Sequence, residues 1–301
     1  MTARNVDAGA LQDQYRDLVE SGRRSEGVWY AGMLRDGPPV HVLALAPGLA
    51  AKVPRPDDFL DALAAGASHK LAGISRPVAW GRTTDGGLHC AYLRDADLSP
   101  IAPGVKPAAA VAVVGAYLAR VLASVHHAGM VHGAVATDRI LRAADGGLQL
   151  GAFALYPALV AGGVDPREAA MGLSDLAYVS PEGRVGAPLD GRSDVYSLGA
   201  ALYELVTGKP PFGGRTTSYV MATVLSEGDE STAAANVQES SHVVEAVLRA
   251  IERAPEDRWP SAAAFAAALG AGTEPVPDHE DGRSLLAIFK EAWFPARRSR
   301  E

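Results

Sequence analysis

Short hydrophobic runs alternate with turn residues between residues 15 and 92. The runs are rich in Val, Leu and Ala, and the turns carry Asp-Gly-Pro-Pro from residue 36 and Asp-Gly-Gly from residue 85. This alternation predicts a small antiparallel sheet. Over residues 57–70 the spacing changes, because apolar residues recur at helical intervals at Phe59, Leu60, Leu63 and Ala67. One helix packed on the sheet is therefore expected.

The pattern changes after Pro107, where longer apolar segments predict a mainly helical region. Helices are expected over residues 108–127, 194–207, 243–253 and 261–269. Two of them begin at residues suited to capping, Asp194 and Ser261, whose side-chain oxygens can accept hydrogen bonds from the free amides of a first turn. Residues 226–241 are polar and acidic, which is typical of a solvated loop and less often of a partner surface.

Composition and charge narrow the class of protein. Among 301 residues, 48% hydrophobic and 21% charged residues are ordinary for a globular chain. A net charge of −7 argues against a nucleic-acid-binding protein, since such proteins present a basic surface to the phosphates. The single cysteine, Cys90, precludes an internal disulfide, and the N-terminus lacks the apolar core of a secretory signal. We therefore expect a cytoplasmic protein.

Two further segments bear on membranes and partners. The most lipid-like stretch, residues 108–118, is shorter than the ~20 apolar residues that a membrane-spanning helix requires. The last residues, 271–301, read as a linker followed by a short amphipathic helix with a basic end. Its apolar face would dock on its own domain, or contact a partner or an anionic membrane surface, through Leu285, Ile288, Phe289 and Trp293.

The run VHGAVATDRIL, residues 131–141, resembles the catalytic loop of protein kinases, whose pattern is His-Arg-Asp-x-Lys-x-x-Asn. Aligned on His132, the four reactive positions hold Gly133, Ala134, Ala136 and Arg139. In LQLGAFA, residues 148–154, the kinase Asp-Phe-Gly motif is replaced by alanine, phenylalanine and alanine, so Ala152 stands where the metal-binding carboxylate belongs. Both acidic groups of the kinase reaction are therefore missing from this resemblance.

Downstream, residues 178–212 are similar to Ser/Thr kinases over the long run YVSPEGRVGAPLDGRSDVYSLGAALYELVTGKPPF. On these motifs the chain resembles the bacterial Ser/Thr protein kinase-like family, as a degenerate member. The resemblance implies an α+β, bilobal fold, with a small β-rich N-lobe carrying one main helix at residues 15–95 and a larger, mainly helical C-lobe at residues 96–270. Residues 1–14 would be an N-terminal extension.

The same resemblance marks the nucleotide-binding positions as altered. Leu43 falls where the family carries its phosphate-binding lysine, and Lys52 nearby is expected to be solvated. Residues 22–28 resemble the glycine-rich loop, and if a nucleotide bound, its contacts would be Gly22, Arg24, Gly27 and Val28. Arg24 stands in place of the middle glycine. An ordinary hairpin is the favoured interpretation, and a phosphate held by Arg23 and Arg24 is the alternative.

Other matching residues are structural in the family. The resemblance implies that His132 and Phe153 pack inside the C-lobe, that Asp194 binds the backbone of the catalytic loop, and that Glu182 pairs with Arg258. Residues 154–177, where related kinases are switched by phosphorylation, contain a single Ser or Thr, Ser174. Their apolar part, residues 157–163, is expected to cover the cleft or to contact a partner.

Together these observations predict a catalytically inactive kinase-like domain, a pseudokinase, that acts as a protein-binding, scaffolding or regulatory module. Neither a cofactor nor a metal is expected, and nucleic acid is excluded as a partner. The partner would be a protein, such as an active kinase or a phosphopeptide-reading protein. Two alternatives stay open: a residual or unconventional ATP-dependent phosphotransferase of the Ser/Thr kinase type, and a nucleotide sensor that needs no metal.

Overall fold

The computed structural model of the protein describes residues 8–94, 99–101, 105–143, 147–174, 176–211 and 233–270. The N-lobe is one antiparallel sheet of five strands in the order β1-β2-β3-β5-β4. The strands are β1 (Tyr15–Arg24), β2 (Gly27–Leu34), β3 (Pro39–Leu45), β4 (Pro77–Arg82) and β5 (Leu88–Leu93). The antiparallel sheet expected from the alternating runs is present.

The central strand β3 is buried on both faces, which explains its nearly continuous apolar sequence. On the outer face, Val40, Val42 and Ala44 pack with Tyr15 and other residues of β1 and β2. On the inner face, Leu43 and Leu45 belong to the large core that continues into the C-lobe. Leu43 thus serves as a core side chain at 0% exposure.

Two helices connect β3 to β4, namely α1 (Pro47–Ala50) and α2 (Pro56–Ser68). The second begins with Pro56, whose missing N–H would be unpaired there in any case, and has Asp57 and Asp58 in its first turn, near the positive end of the helix dipole. It buries Phe59, Leu63 and Gly66 against the rest of the protein. This is the one helix expected on the sheet.

The C-lobe is built around α3 (Ala108–His127), which packs against α7 (Gly191–Thr207), α8 (Ala233–Ala250) and α9 (Ala262–Gly270). By length and composition α3 could span a bilayer, but 72% of its apolar window is buried inside the protein, as in the core helix of a globular domain. A small sheet of β6 (Ser99–Pro100), β7 (Ile140–Arg142) and β8 (Leu148–Leu150) lies beside the cleft.

Two of the expected helix boundaries are wrong. Helix α7 begins three residues before Asp194, and its cap is Asp190, which accepts from the Arg192 amide at 2.7 Å while its own N–H donates to the Ser193 hydroxyl. Asp194 lies inside the first turn, where its side chain serves the catalytic loop instead. Helix α8 begins at Ala233, so residues 233–241 of the expected loop are helical, in line with the high helix propensity of alanine. Residues 226–232 lie outside the described part of the chain.

The short helices of the C-lobe are α4 (Leu155–Ala161), α5 (Pro166–Leu173) and α6 (Pro181–Arg184). Glu182 in α6 pairs with Arg258 through two contacts of 2.8 and 2.7 Å, and it accepts from the Ser193 hydroxyl at 2.7 Å. Burial raises the pKa of Glu182, but the hydrogen bonds from Arg258 and Ser193 outweigh it and bring the pKa to about 2. Arg258 also donates to three backbone carbonyls, so the pair ties several loops together.

Replacing Arg258 by methionine should lower the free energy of unfolding by ~3–5 kcal/mol, because the half-buried Glu182 carboxylate would lose its partner. Urea denaturation at neutral pH measures this loss. The matched control is Arg192→Met, which removes an exposed ion pair with Asp190 and should cost less than ~1 kcal/mol. Equal losses in the two variants would show that the Glu182–Arg258 pair does not organise the lobe.

Candidate functional site

The catalytic-loop segment keeps its shape because Asp194 holds its backbone. The Asp194 carboxylate is fully buried and accepts from the amides of His132 and Gly133, both at 2.8 Å, and lies 2.8 Å from His126 Nε2. The His132 ring lies 5.9 Å from the ring of Phe153, and burial lowers its pKa to about 4, so the ring is neutral near pH 7. These residues are packing and anchoring groups.

The positions that would carry charge in a kinase are apolar and buried here. Ala134 and Ala136 are each 2% exposed and Ala152 is 3% exposed, and all three belong to the protein interior with Leu43. Among the residues that the structure describes, no three His, Cys, Asp or Glu side chains come close enough to share a metal ion. A methyl group can neither ligate a cation nor accept a proton.

Arg139, at the fourth reactive position, forms an ion pair that crosses the cleft. Its Nη2 lies 3.0 Å from Oε1 of Glu26, and the two side chains are only 2% and 1% exposed. Glu26 also accepts from the Trp29 indole N–H at 3.1 Å, and Arg139 donates to the Leu173 carbonyl. Glu26 is at the tip of the β1–β2 hairpin, so the pair joins the N-lobe hairpin to the C-lobe floor.

A second ion pair lies outside the first. Arg24 Nε is 3.1 Å from Asp138 Oδ2, and its guanidinium stands 5.6 Å from the centre of the Trp29 ring. Both side chains of this pair are partly exposed, at 33% and 49%. Arg23 points elsewhere, since it is bound to Glu20 at 2.6 Å. Neither arginine of the hairpin is therefore free in this structure to hold a phosphate.

The four candidate nucleotide contacts divide between two faces of the hairpin. Gly22 and Arg24 line the cleft. Val28 does not, because side chains alternate along a strand and Val28 packs in the outer cluster, while Trp29 faces the cleft. Gly27 pairs with Leu45, and a side chain there would collide with the Ala44 carbonyl. Gly27 and Val28 are thus corrected to structural residues of the sheet.

Ala154 and Tyr156, which follow Ala152, pack between α2 and the catalytic loop. Ala152 and Ala154 adopt left-handed backbone angles, with φ of 59° and 68°, and α4 follows at once. A Cβ on Gly66 of α2 would lie 2.3 Å from the Ala154 methyl, and one on Gly133 would lie 2.4 Å from the Tyr156 ring. Most of residues 157–163 lie in α4, which packs against α2, and a Cβ on Gly162 would lie 3.0 Å from Phe59. An arginine at position 133 has no room beside Tyr156.

A cavity of about 180 Å³ remains in the cleft behind the Arg24–Asp138 pair. Its walls include Trp29, Tyr92, Leu93 and Leu141, and Arg139 lies at its boundary. Lys52, the lysine nearest to the altered strand, forms a surface ion pair with Glu168 at 3.0 Å instead of reaching this space. The cleft therefore contains a small, mostly apolar space and no lysine among its described lining residues.

Comparison with known sequences assigns the family. The sequence profile described as protein tyrosine and serine/threonine kinase matches residues 92–268, which is more than half of the chain. The chain belongs to the protein kinase family.

Two bacterial proteins are among the relatives of this kinase-family chain. It is 33% identical over 144 residues to a serine/threonine-protein kinase PknB of Mycobacterium tuberculosis, and this match covers 48% of the chain and 23% of the relative. It is 36% identical over 178 residues to PknL of the same species, covering 56% of the chain and 42% of the relative. The chain thus matches less than half the length of each of these proteins.

Solved structures agree on the fold. A crystal structure of the Mycobacterium tuberculosis PknI kinase domain superposes with a TM-score of 0.64 at 20% identity, covering 89% of this chain and 99% of that domain. At this level of identity the likeness concerns the fold alone. The expected α+β bilobal kinase-like fold and the resemblance to bacterial Ser/Thr kinases are both confirmed.

The residues of this kinase-family cleft do not fit magnesium-bound ATP. Mg²⁺ prefers oxygen ligands and is usually held by carboxylates together with substrate phosphates. Ala152 stands at the metal position and supplies no oxygen, and Arg139, at the fourth reactive position, is itself a cation. The Glu26 carboxylate at the tip of the glycine-rich hairpin already neutralises Arg139, so this pair leaves no free positive charge to bind phosphates. The buried charges of the cleft, Glu26 and Arg139, therefore bind each other.

Three features of the site were missed from the sequence. Glu26 lies in a turn of the hairpin and nothing in the sequence marks it as the partner of Arg139, because Asp138 is the acidic residue adjacent to that arginine in the chain. The roles of Tyr156 and Gly66 depend on contacts between elements far apart in the chain. The predicted C-terminal contact residues Leu285, Ile288, Phe289 and Trp293 lie outside the described residues, so their role stays a prediction.

The tight contact between Gly66 of α2 and Ala154 can be tested by placing a methyl group on Gly66. Gly66→Ala should lower the free energy of unfolding by ~1–2 kcal/mol, because overlap with Ala154 outweighs the ~1 kcal/mol that alanine gains over glycine in a helix. Adding Ala154→Gly should restore most of the loss, since it removes the overlapping methyl and relieves the left-handed backbone. Chemical denaturation measures both variants.

The control is Gly48→Ala in α1, where a new methyl group meets open space and stability should not fall. A Gly66→Ala protein as stable as the parent would contradict the tight contact between α2 and the segment after Ala152.

Proposed function

We propose that this kinase-family domain is a pseudokinase, without phosphotransfer activity, that acts by binding other proteins. The observation that carries the proposal is the buried Glu26–Arg139 ion pair at the place where the reaction would need metal and phosphate. Alanines at the proton-acceptor and metal positions, Ala134 and Ala152, and Leu43 at the lysine position support it.

The size of the missing contributions to the phosphotransfer rate favours inactivity over weak activity. A positioned proton acceptor contributes ~10²–10⁴-fold to the rate, and stabilisation of transition-state charge is usually the largest single term. In this protein alanines replace the proton acceptor, at Ala134, and the metal-binding carboxylate, at Ala152. The effects of such groups are not additive. Among the described residues no three His, Cys, Asp or Glu side chains are placed to hold a metal ion, and Asp138, which lines the cleft, is paired with Arg24.

The residues that remain support a binding role. Asp194, Glu182 and Arg258 hold backbone and loops in place, so the kinase shape is maintained without its chemistry. A cytoplasmic scaffold or regulator that docks a protein, such as an active kinase or a phosphopeptide-reading protein, needs that shape and no cofactor. The named activity of PknB and PknL as serine/threonine kinases makes residual phosphotransfer the alternative to test.

Incubation of the purified chain with labelled ATP and either magnesium or manganese should give no transfer to itself or to a general substrate protein above a heat-treated control. Calorimetric titration with ATP, with and without metal, should give no binding heat at millimolar concentration. Both results are expected because Arg139 and Arg24 are already paired with Glu26 and Asp138, so a phosphate entering the cleft would find no free counter-charge.

The control variant is Leu141→Trp, which fills the cleft with a larger side chain. Label transfer that occurs in the parent and is lost in Leu141→Trp would overturn the pseudokinase proposal and establish a phosphotransferase. Saturable ATP binding without transfer would instead establish the nucleotide sensor.

A further inference from the structure

The segment that carries phosphorylation switches in related kinases offers no accessible serine or threonine here. Residues 154–177 contain a single residue of these two types, Ser174. It follows directly on the last residue of α5, and its Oγ is buried without a hydrogen-bond partner among the described residues. A phosphorylating enzyme needs an exposed hydroxyl, so this segment would have to open locally before Ser174 could accept phosphate.

Ser25, in contrast, is exposed in the turn between β1 and β2. Its two neighbours in the chain each form an ion pair with the C-lobe. Arg24 is paired with Asp138, and Glu26 is paired with Arg139. The Ser25 Oγ lies 3.5 Å from Oε2 of Glu26. A group attached to this hydroxyl is therefore placed between two inter-lobe contacts and beside a buried carboxylate.

The sequence before Ser25 is basic. Arg23 and Arg24 precede it directly, and both are exposed. Their ion pairs with Glu20 and Asp138 are exposed or partly exposed and therefore weak, so an acidic substrate groove of another protein can compete for them. Ser21, which is also exposed in β1, follows Glu20 instead of an arginine.

A phosphate on Ser25 would weaken both inter-lobe contacts of the hairpin. It carries a charge of about −2 near pH 7. It would repel the Glu26 carboxylate with little screening, because that group is 1% exposed, and it would draw Arg24 away from Asp138. Arg24 belongs to the hairpin itself, so its attraction to phosphate does not hold the lobes together.

Arg139 is the cation of the C-lobe that could oppose this effect. Its side chain is 2% exposed, so a phosphate could reach it only by entering the interior of the protein. Removing a doubly charged group from water is costly. The repulsion of Glu26 therefore outweighs attraction to Arg139.

We propose that Ser25 is a phosphorylation site for a separate protein kinase that selects arginine before serine, and that its phosphate releases the β1–β2 hairpin from the catalytic-loop segment. In the transfer, the Ser25 Oγ bonds to the γ-phosphorus of ATP held by that kinase, the bond from this phosphorus to the bridging oxygen breaks, and ADP leaves. The hydroxyl proton passes to the base of that kinase. Only the identity of the enzyme, an active kinase, rests on the proposed function, because accepting phosphate requires no activity of this chain.

Phosphorylation of the folded chain tests the site. The probe is an arginine-selective serine kinase that is first verified on an isolated peptide of residues 19–29. With ATP it should phosphorylate Ser25 in the whole chain and leave Ser21 unmodified, as counted at each position by mass spectrometry. Counting by position is required because Arg-Arg-Ser recurs at residues 297–299. A folded chain without phosphate on Ser25 would overturn the proposal, whereas phosphate that appears without added kinase would contradict the pseudokinase proposal instead.

Hydrogen exchange tests the release of the hairpin. In the phosphorylated chain, the amides of residues 22–28 should exchange at least about tenfold faster than in the unmodified chain, while those of residues 194–207 in α7 should not change. Ser25→Ala, treated in the same way, is the matched control and should show no acceleration. Unchanged or slower exchange at the hairpin of the phosphorylated chain would overturn the proposed switch.

Glu26→Gln tests the cause of the release. This variant already lacks the charge of the buried pair, so phosphate on Ser25 should accelerate hairpin exchange less than in the parent. Equal acceleration by phosphate in Glu26→Gln and in the parent would show that repulsion of Glu26 is not the cause, and would overturn the mechanism proposed here.

Discussion

The ion pair between Glu26 and Arg139 joins the two lobes at a point where neither charge reaches water. Moving a carboxylate and a guanidinium out of water costs several kcal/mol for each ion, and only good mutual geometry compensates for that cost. One partner comes from the hairpin of the N-lobe and the other from the floor of the C-lobe. The pair can exist only when the hairpin lies against the catalytic-loop segment, as it does in this structure.

The other positions that carry charge in a kinase fall into two groups in this domain. The charged groups that remain buried, Asp194, Glu182 and Arg258, bind backbone amides, carbonyls or each other. The groups that would act on a bound ligand are replaced by Ala134, Ala152 and other apolar residues. The buried charged residues maintain the shape of the lobe. Ala134 and Ala152 are buried in the hydrophobic core. The buried charges account for the kinase-like shape, and the proposed loss of phosphotransfer rests on the second group of positions.

The fold could be predicted from the sequence because the packing residues keep their periodicity and their motifs. The sheet, the main N-lobe helix α2 and the apolar helix α3 all follow from local pattern, and Ser261 caps α9 as expected. The site could be predicted only in part. The loss of the catalytic aspartate at Ala134 can be read directly from the sequence. The Glu26–Arg139 pair cannot, because it joins residues that are 113 positions apart in the chain. The cap of α7 was misplaced because Asp190 and Asp194 are both reasonable caps and only tertiary contacts distinguish them.

A double-mutant cycle on the inter-lobe pair tests the account most directly. Glu26→Gln, Arg139→Met and the double variant would be compared by urea denaturation. Each single change should cost ~3–5 kcal/mol because it leaves one buried charge unpaired, and the double change should cost less than the sum by ~1–3 kcal/mol. Strictly additive losses would show that the two charges do not interact in solution, and the contact between the hairpin and the catalytic loop would then lack its physical cause.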